Sequence, residues 1–241
     1  MESKADIREW NAIAGAYARE MEARGDRCFP DGIGERFWEV VGEVKGKAIL
    51  DLGCGQGWLS GELARRGAAV VGIDGAETLV ERARELYPGL AFRVGDLSEG
   101  IPGMAELGTM FDVVVSNMVV MDLPKVDTLF AAAGRVLRPG GMFVFTLPHP
   151  CFFMQKSYQD ENGKWFKKLT GYLRPQTRRI ESFGGHNHYH RPLSAYIRAL
   201  AEAGLVVFEM YEPEHQARSD RVDPEFLRNF PVFLILGARK A

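Results

Sequence analysis

The sequence predicts an α/β fold with a doubly wound sheet. Short apolar runs of strand length alternate with amphipathic helical segments over residues 46–147, a pattern typical of strand–helix–strand units. A glycine-rich turn, residues 53–57, lies between the first apolar run and the first helix. The 241 residues suffice for one α/β domain with a sizeable core, so we expect a single domain over residues 1–241.

The first predicted strand, residues 48–50, leads through Asp51 into the glycine-rich turn. Gly53, Gly55 and Gly57 permit positive φ angles and the close approach of a ligand. Their G-x-G-x-G spacing differs from the G-x-G-x-x-G of dinucleotide-binding proteins. A carboxylate before the turn also opposes a pyrophosphate at the helix N-terminus. Asp51 therefore favours a ligand that carries a cationic group.

The next two strands also lead into carboxylates. The second strand, residues 69–73, ends in Asp74, and an acid about 20 residues beyond such a turn can hold ribose hydroxyls. The third strand, residues 90–94, precedes Asp96 and Leu97. A carboxylate followed by a backbone N–H can pair with the exocyclic amine and a ring nitrogen of adenine. These residues predict a nucleoside site.

The fourth strand, residues 111–117, ends in Asn117, and Met118 follows it. Both residues are candidates for ligand contact because they stand at the carboxyl end of a strand. The elements that follow are a helix over residues 126–137, a helix terminator at 138–141 and a fifth strand over 142–147.

Five segments occur in the order and spacing of one known family: ILDLGCGQG, VVGID, VGDL, FDVVVSN and LRPGG. Over about residues 46–147 the chain resembles the class I S-adenosylmethionine-dependent methyltransferases, closest to their type 11 group. The resemblance implies a Rossmann-like doubly wound seven-stranded sheet, mostly parallel with the last strand antiparallel. It also implies S-adenosylmethionine as cofactor, with S-adenosylhomocysteine as product. The ammonium and sulfonium of this cofactor agree with the preference for a cationic ligand.

The resemblance places Asp51 and the glycines near the methionine moiety, Asp74 on the ribose, and Asp96 with Leu97 at the adenine. One departure is Ala76, which stands where related sequences often carry a capping serine, so we expect Gly75 to cap the following helix. The complete set of predicted cofactor-binding residues is Trp10, Tyr17, Asp51, Gly53, Cys54, Gly55, Gly57, Asp74, Gly75, Asp96, Leu97, Asn117 and Met118.

The N-terminal segment is predicted to form lid helices over about residues 5–42. Trp10, Ile13, Tyr17 and Met21 recur with helical period on one face. In related methyltransferases a helix with a similar W-N-x-x-A-x-x-Y pattern closes over the cofactor, so Trp10 and Tyr17 are the lid candidates. The alternative is a helix that only packs on the sheet edge.

A cap insertion is predicted over about residues 150–190, before a helix that starts at Pro192, is capped by Gly204 and leads into two final strands. It is rich in aromatic residues and holds seven Lys or Arg against three Asp or Glu. This mixture favours a flat or anionic acceptor, and it also suits single-stranded nucleic acid. The alternative is a solvated cap that its aromatic side chains merely anchor.

Histidines provide the candidates for acid–base chemistry. His186, His188 and His190 share one face if the segment is extended. Three imidazoles can bind a transition metal, but no Cys or carboxylate lies beside them in the sequence, so we predict no metal. His188 and Tyr189 are candidate catalytic residues facing the acceptor. His149, held between two prolines, is a candidate general base, with a structural role as the alternative.

Composition sets the remaining expectations. The net charge of −2 gives no electrostatic case for nucleic acid or membrane, and three cysteines fit a reducing compartment. With no apolar run of signal-peptide or membrane-helix length, we expect a cytoplasmic monomer or homodimer. The predicted function is methyl transfer from S-adenosylmethionine to O, N or C of a small aromatic or anionic metabolite. The alternatives are an RNA or tRNA methyltransferase, an NAD-dependent oxidoreductase and a non-catalytic S-adenosylmethionine-binding module.

Overall fold

The computed structural model describes residues 2–24, 33–103, 110–153, 155–214 and 229–241. Its helices are α1 (Glu2–Arg24), α2 (Gly34–Val41), α3 (Trp58–Arg65), α4 (Glu77–Leu86), α5 (Asp127–Val136) and α6 (Leu193–Glu202). Its strands are β1 (Ala48–Leu52), β2 (Ala69–Asp74), β3 (Ala91–Val94), β4 (Phe111–Asn117), β5 (Leu137–Pro148), β6 (Ser157–Gln159), β7 (Trp165–Lys167), β8 (Gln176–Ile180), β9 (His186–His190), β10 (Leu205–Tyr211) and β11 (Phe233–Lys240).

The central sheet has seven strands in the order β10-β11-β5-β4-β1-β2-β3. β1 pairs in parallel with both β2 and β4, whereas β11 is antiparallel to β5 and to β10. The prediction of a mostly parallel seven-stranded sheet with an antiparallel last strand is therefore confirmed. The strand order reverses between β1 and β4, and in such sheets ligands bind beyond the carboxyl ends of the strands at this reversal.

The core lies on both faces of the sheet because successive strand residues point to opposite sides. Leu50 packs on the side of α5 and α6, together with Phe130 and Tyr196. Ile49, the residue before it, packs on the side of α2 and α3, together with Phe37. Both faces of β1 are thus buried, as its continuous apolar run predicts.

Several element boundaries differ from the sequence-based expectations. α5 ends at Val136, and β5 includes the predicted terminator because Leu137 already pairs with Phe111. The N-cap of α4 is Ala76 and not Gly75, and its backbone N–H donates to Asp74 Oδ1 at 2.8 Å. The acceptor that a capping serine would offer to the first turn comes instead from α1, where Asn11 Oδ1 accepts from the Thr78 backbone N–H at 3.1 Å.

The cap insertion, which showed no clear period in the sequence, contains two short antiparallel hairpins, β6–β7 and β8–β9. The first hairpin lies mostly in solvent, while β9 is partly buried. Residues 25–32 of the predicted lid segment and residue 154 of the cap lie outside the described residues. Among the described helices, none has the length and apolar character needed to cross a membrane.

Candidate active site

A cavity of about 360 Å³, here called the central cavity, lies at the carboxyl ends of β1, β2, β3 and β4. α1 and the cap insertion form its remaining walls. Of the predicted cofactor-binding residues, those that line it are Trp10, Tyr17, Gly53, Gly55, Asp74, Gly75, Asp96, Leu97, Asn117 and Met118. Ten of the thirteen predicted cofactor-binding residues thus line the same cavity.

The glycine-rich turn forms the floor of the cavity. Gly53 and Gly55 have φ angles of 76° and 53°, in the left-handed region that favours glycine. A Cβ atom on Gly53 would lie 2.2 Å from Cγ2 of Val119, which also lines the cavity. The turn leaves no room for a side chain here, so the backbone itself is presented to a ligand.

Asp74 joins this turn to the start of α4. Its Oδ2 accepts a hydrogen bond from the Gly55 backbone N–H at 2.9 Å, and its Oδ1 accepts from Ala76. Burial raises the pKa of Asp74, although these backbone donors oppose the rise. Because each carboxylate oxygen has more than one lone pair, Asp74 can still accept from a ribose hydroxyl.

Asp96 has an unused acceptor. Its Oδ1 accepts from both the backbone N–H and the hydroxyl of Ser98, at 2.9 and 2.6 Å. Its Oδ2 is buried and has no hydrogen-bond partner among the described residues. Such an orphaned acceptor in a cavity wall is suited to a ligand donor, and the exocyclic amine of adenine is one. The site therefore fits the adenosyl group of S-adenosylmethionine.

Two residues other than glycine adopt left-handed backbone conformations among the described residues, and both line the cavity. They are Met118, with φ of 58°, and Phe183, with φ of 62°. Met118 follows β4 and is held by its N–H, which donates to Thr146 Oγ1 at 3.0 Å. Local backbone strain of this kind is concentrated at ligand sites in proteins.

α1 lies against the cavity as the lid prediction expects. Trp10 and Tyr17 both line it, and their rings meet edge to face at 5.8 Å between centroids. Asn11 Oδ1 accepts from the backbone N–H of Thr78, which fixes α1 to α4. Trp10 also packs on the His186 ring at 4.7 Å. Contact of Trp10 and Tyr17 with the cofactor stays a prediction.

Three predicted cofactor residues, Asp51, Cys54 and Gly57, do not line the cavity. Asp51 is 1% exposed and accepts a hydrogen bond from the Ser60 hydroxyl at 2.6 Å, below the turn. Burial raises its pKa to about 7. Gly57 caps α3 with φ of 86°, and burial raises the pKa of the Cys54 thiol. These residues shape the turn from behind, so the expectation of direct ligand contact is corrected for all three.

His149 is not available as a base in this structure. Its Nε2 lies 2.6 Å from Glu212 Oε1, and its Nδ1 accepts from the Cys151 backbone N–H at 3.1 Å. Burial lowers its pKa, and the side chain is 1% exposed. With both ring nitrogens occupied and the residue outside the lining of the central cavity, the structural alternative replaces the catalytic one.

The structure separates the other two catalytic candidates. His188 lines the central cavity, whereas Tyr189 does not. The Tyr189 hydroxyl donates to Asp6 Oδ2 at 2.7 Å, and it is Asp6 that lines the cavity. Strand alternation explains the split, since neighbouring residues face opposite ways. Tyr189 is therefore corrected from a catalytic candidate to a residue that joins the cap to α1.

Sequence reasoning missed Asp122, which lines the cavity beside the candidate histidines His186 and His188. No carboxylate lies beside the histidines in the sequence, but the fold brings Asp122 Oδ1 to 3.1 Å from His188 Nε2. Asp122 stands only five residues after the end of β4, a position where ligand-binding loops are expected. This position shortly after β4 is the sequence signal from which Asp122 could have been identified. His190 is turned away and hydrogen-bonds to the Tyr172 carbonyl.

The charge of the cavity is one-sided. Its lining includes the carboxylates of Asp6, Glu20, Asp74, Asp96 and Asp122, and no Lys or Arg among the described residues. An acidic cavity suits a cationic cofactor. The basic residues of the cap do not line the cavity. The charge of the lining therefore does not support the predicted preference for an anionic acceptor.

Comparisons with known proteins agree with this geometry. Residues 50–145 match a family model described as a methyltransferase domain. A solved S-adenosylmethionine-dependent methyltransferase from Mesorhizobium loti is 27% identical, with a TM-score of 0.71, and the match covers 86% of this chain and 99% of that one. Residues 50–145 belong to the class I S-adenosylmethionine-dependent methyltransferases. The cofactor of this family is S-adenosylmethionine.

Two further matches to this methyltransferase fold are more distant or shorter. Geranyl diphosphate C-methyltransferase from Streptomyces coelicolor A3(2), solved with S-adenosylhomocysteine, shares the fold at 16% identity and a TM-score of 0.65, over 99% of this chain and 98% of that one. A ubiquinone biosynthesis O-methyltransferase from Sinorhizobium fredii (strain NBRC 101917 / NGR234) is 38% identical over 105 residues, which is 43% of this chain and 42% of that protein. The chain thus matches less than half the length of this curated relative.

Proposed function

We propose that the protein transfers a methyl group from S-adenosylmethionine to an oxygen, nitrogen or carbon of a small aromatic metabolite. The observation that carries this proposal is that two sets of residues line one central cavity. The predicted cofactor residues that line it are here called the cofactor wall, and the aromatic residues of the cap are called the acceptor wall. Phe153 and Phe183 of the cap form this acceptor wall. A flat acceptor would therefore lie between the cap and the methyl donor.

The chain's own residues contribute positioning and exclusion of water. S-adenosylmethionine, when bound, supplies an electrophilic methyl group on a sulfonium and leaves as a neutral thioether. Asp74 and Asp96 hold the nucleoside, while Trp10 and Tyr17 cover it from α1. Alignment of acceptor and donor provides most of the rate in such a displacement, and a dry site favours the dispersal of charge.

An oxygen acceptor is the form of this proposal that the relatives favour. The curated relatives are named ubiquinone biosynthesis O-methyltransferases, although each match covers less than half of the relative. A phenolic hydroxyl also combines the flat ring and the nucleophilic atom that the cavity would accept. An acceptor that arrives as a hydroxyl needs a proton acceptor, and His188 is the catalytic candidate that lines the cavity.

One observation favours RNA as a second candidate acceptor. The β6–β7 hairpin exposes a stacked pair, Tyr158 and Phe166, with ring centroids 5.5 Å apart. The exposed lysine side chains of Lys156, Lys164 and Lys168 belong to the same segment of the cap. Stacked rings beside cations suit single-stranded nucleic acid. This surface belongs to the cap exterior, so RNA binding there would leave the central cavity to a flipped base.

The test is transfer of tritiated methyl groups from S-adenosylmethionine to a panel of phenols, phenolic acids and amines, with bulk tRNA as a parallel substrate. Labelled small-molecule product and no labelled RNA are expected. Label in RNA, with binding that weakens steeply as salt rises, would support the second candidate. Binding of cofactor without any labelled product would instead indicate a non-catalytic binding module.

A further inference from the structure

Three side chains with metal-ligating atoms converge in the central cavity outside the cofactor wall. They are Asp122 from the segment after β4, and His186 and His188 from β9. His188 Nε2 lies 3.1 Å from Asp122 Oδ1 and 3.2 Å from His186 Nε2. One donor atom from each residue lies within 4.8 Å of the other two. We call this group the Asp122–His186–His188 cluster.

Hydrogen bonding does not satisfy this cluster. His188 Nε2 carries either one proton or one lone pair, so it cannot complete a bond to both of its neighbours. Asp122 Oδ1 is buried and, within the described part of the chain, makes no hydrogen bond of acceptable geometry, despite its 3.1 Å distance from the imidazole nitrogen. The side chains of Asp122 and His188 are only 10% and 11% exposed, so most of their surface is packed against protein. Orphaned buried acceptors of this kind require a physical explanation.

We propose that the Asp122–His186–His188 cluster binds one divalent first-row transition-metal ion. Ligand atoms on one such ion, at bond lengths of about 2.0–2.2 Å, lie about 3.0–3.4 Å apart. The two close distances of the cluster, 3.1 and 3.2 Å, fall in this range. Two imidazoles and one carboxylate favour zinc, iron, cobalt or nickel over magnesium and calcium, which prefer all-oxygen sites.

Three protein ligands leave coordination positions open, and the cluster faces the same cavity as the cofactor residues. The consequence for substrate rests on the proposed function. The ion supplies the positive charge that the acidic lining lacks, so it selects an acceptor with an oxygen donor, such as a phenol with an adjacent hydroxyl or carboxylate. His188 is then a metal ligand and not the proton acceptor, and the bound hydroxyl loses its proton to water more readily. Its oxygen then forms the new C–O bond while the C–S bond breaks and its electron pair goes to sulfur.

The experiment is a metal titration of protein that has been stripped with chelator and dialysed. Zn²⁺ is followed by calorimetry, and Co²⁺ by its visible absorption, which reports imidazole and carboxylate ligation. One ion per chain is expected for the wild type. His186→Gln, His188→Gln and Asp122→Asn should each weaken Zn²⁺ binding at least about 100-fold, because even loss of an outer partner of a metal ligand costs about 10- to 100-fold.

His190→Gln is the matched control, since His190 lies on the same strand but bonds to the Tyr172 carbonyl outside the cluster. It should keep the wild-type affinity. Zn²⁺ should also raise the melting temperature of the wild type and of His190→Gln, which gives a readout that does not depend on the stability of the cluster variants. The absence of a stoichiometric ion in the wild type, or equal loss in His190→Gln, would overturn the proposal.

A parallel titration with S-adenosylhomocysteine in the presence of EDTA separates this proposal from the proposed function. Binding of S-adenosylhomocysteine without any metal binding would refute the metal site and leave the methyltransferase proposal standing. Metal binding without binding of S-adenosylhomocysteine would support the metal site and refute the proposed methyltransferase function. The preference for an oxygen-donor acceptor would then fall with that function.

Discussion

The two walls of the central cavity are built by different means. On the cofactor wall, carboxylates accept hydrogen bonds from backbone N–H groups, as Asp74 does from Gly55 and Ala76. Around the acceptor wall, the contacts join side chains of separate segments, as between Tyr189 and Asp6 and between His186 and Trp10. The first wall is fixed by the main chain, while the second depends on residues from separate segments. Cofactor binding should therefore tolerate changes in the cap that alter the acceptor site.

The largest expected effect comes from Gly53→Ala, which introduces a side chain into the cofactor wall. The new Cβ would lie 2.2 Å from Val119, at a φ of 76° that penalises any side chain. We expect a loss of about 3 kcal/mol or more in the free energy of unfolding and loss of measurable S-adenosylhomocysteine binding. Chemical denaturation and calorimetry measure the two effects.

The control for that variant is Gly163→Ala in the β6–β7 hairpin. Gly163 has nearly the same φ, 79°, but a Cβ there would meet nothing within 4 Å. Only backbone strain of about 1–2 kcal/mol is expected, with cofactor binding intact. Equal losses of unfolding free energy at Gly53 and Gly163 would show that backbone strain, and not the contact with Val119, causes the loss at Gly53.

The next effect is a pH dependence from Asp51, below the same wall. Its pKa is about 7 in the folded protein against 3.8 ordinarily, so the folded state binds the extra proton. The stability that Asp51 contributes is complete below about pH 4 and is lost as the pH rises through 7. Asp51→Asn keeps an acceptor for Ser60 and removes the titration. From pH 5 to 8, the wild type should lose about 2–3 kcal/mol more than the variant.

Denaturant titrations at several pH values measure that difference. The groups that face Asp51 are the Ser60 hydroxyl from α3, the Asp74 carboxylate from β2 and the Cys54 thiol of the turn. Parallel stability curves for wild type and Asp51→Asn over this range would show that Asp51 remains ionised in the folded protein.

The smallest expected effect is that of Tyr189→Phe, a change outside the cavity lining that removes a contact to the lining residue Asp6. It removes the hydroxyl that donates to Asp6 and so loosens the cap from α1. We expect a loss of about 1–2 kcal/mol in the free energy of unfolding, because Asp6 is a buried carboxylate. Affinity for S-adenosylhomocysteine should stay within about twofold by calorimetry. A large loss of cofactor affinity would mean that the two walls are not independent.

The same difference between the walls explains what the sequence could predict. Strands β2 and β3 follow from local patterns, since an apolar run that ends at Asp74, or two residues before Asp96, indicates both the strand and the site. Asp122 could not be assigned in this way. It meets His186 and His188 only because the cap folds back over β4, a contact between residues more than 60 positions apart. His149 failed for a similar reason, because its distant partner Glu212 occupies it.

The central claim is that the cofactor wall binds the adenosyl group through Asp96, whose buried Oδ2 has no partner among the described residues. The most direct test is a calorimetric titration of the wild type, Asp96→Asn and the exposed control Glu161→Gln with S-adenosylhomocysteine and with NAD. We predict S-adenosylhomocysteine binding by the wild type and the control, about 10- to 100-fold weaker binding by Asp96→Asn, and no heat with NAD. Binding of NAD, or equal S-adenosylhomocysteine affinity in all three proteins, would contradict it.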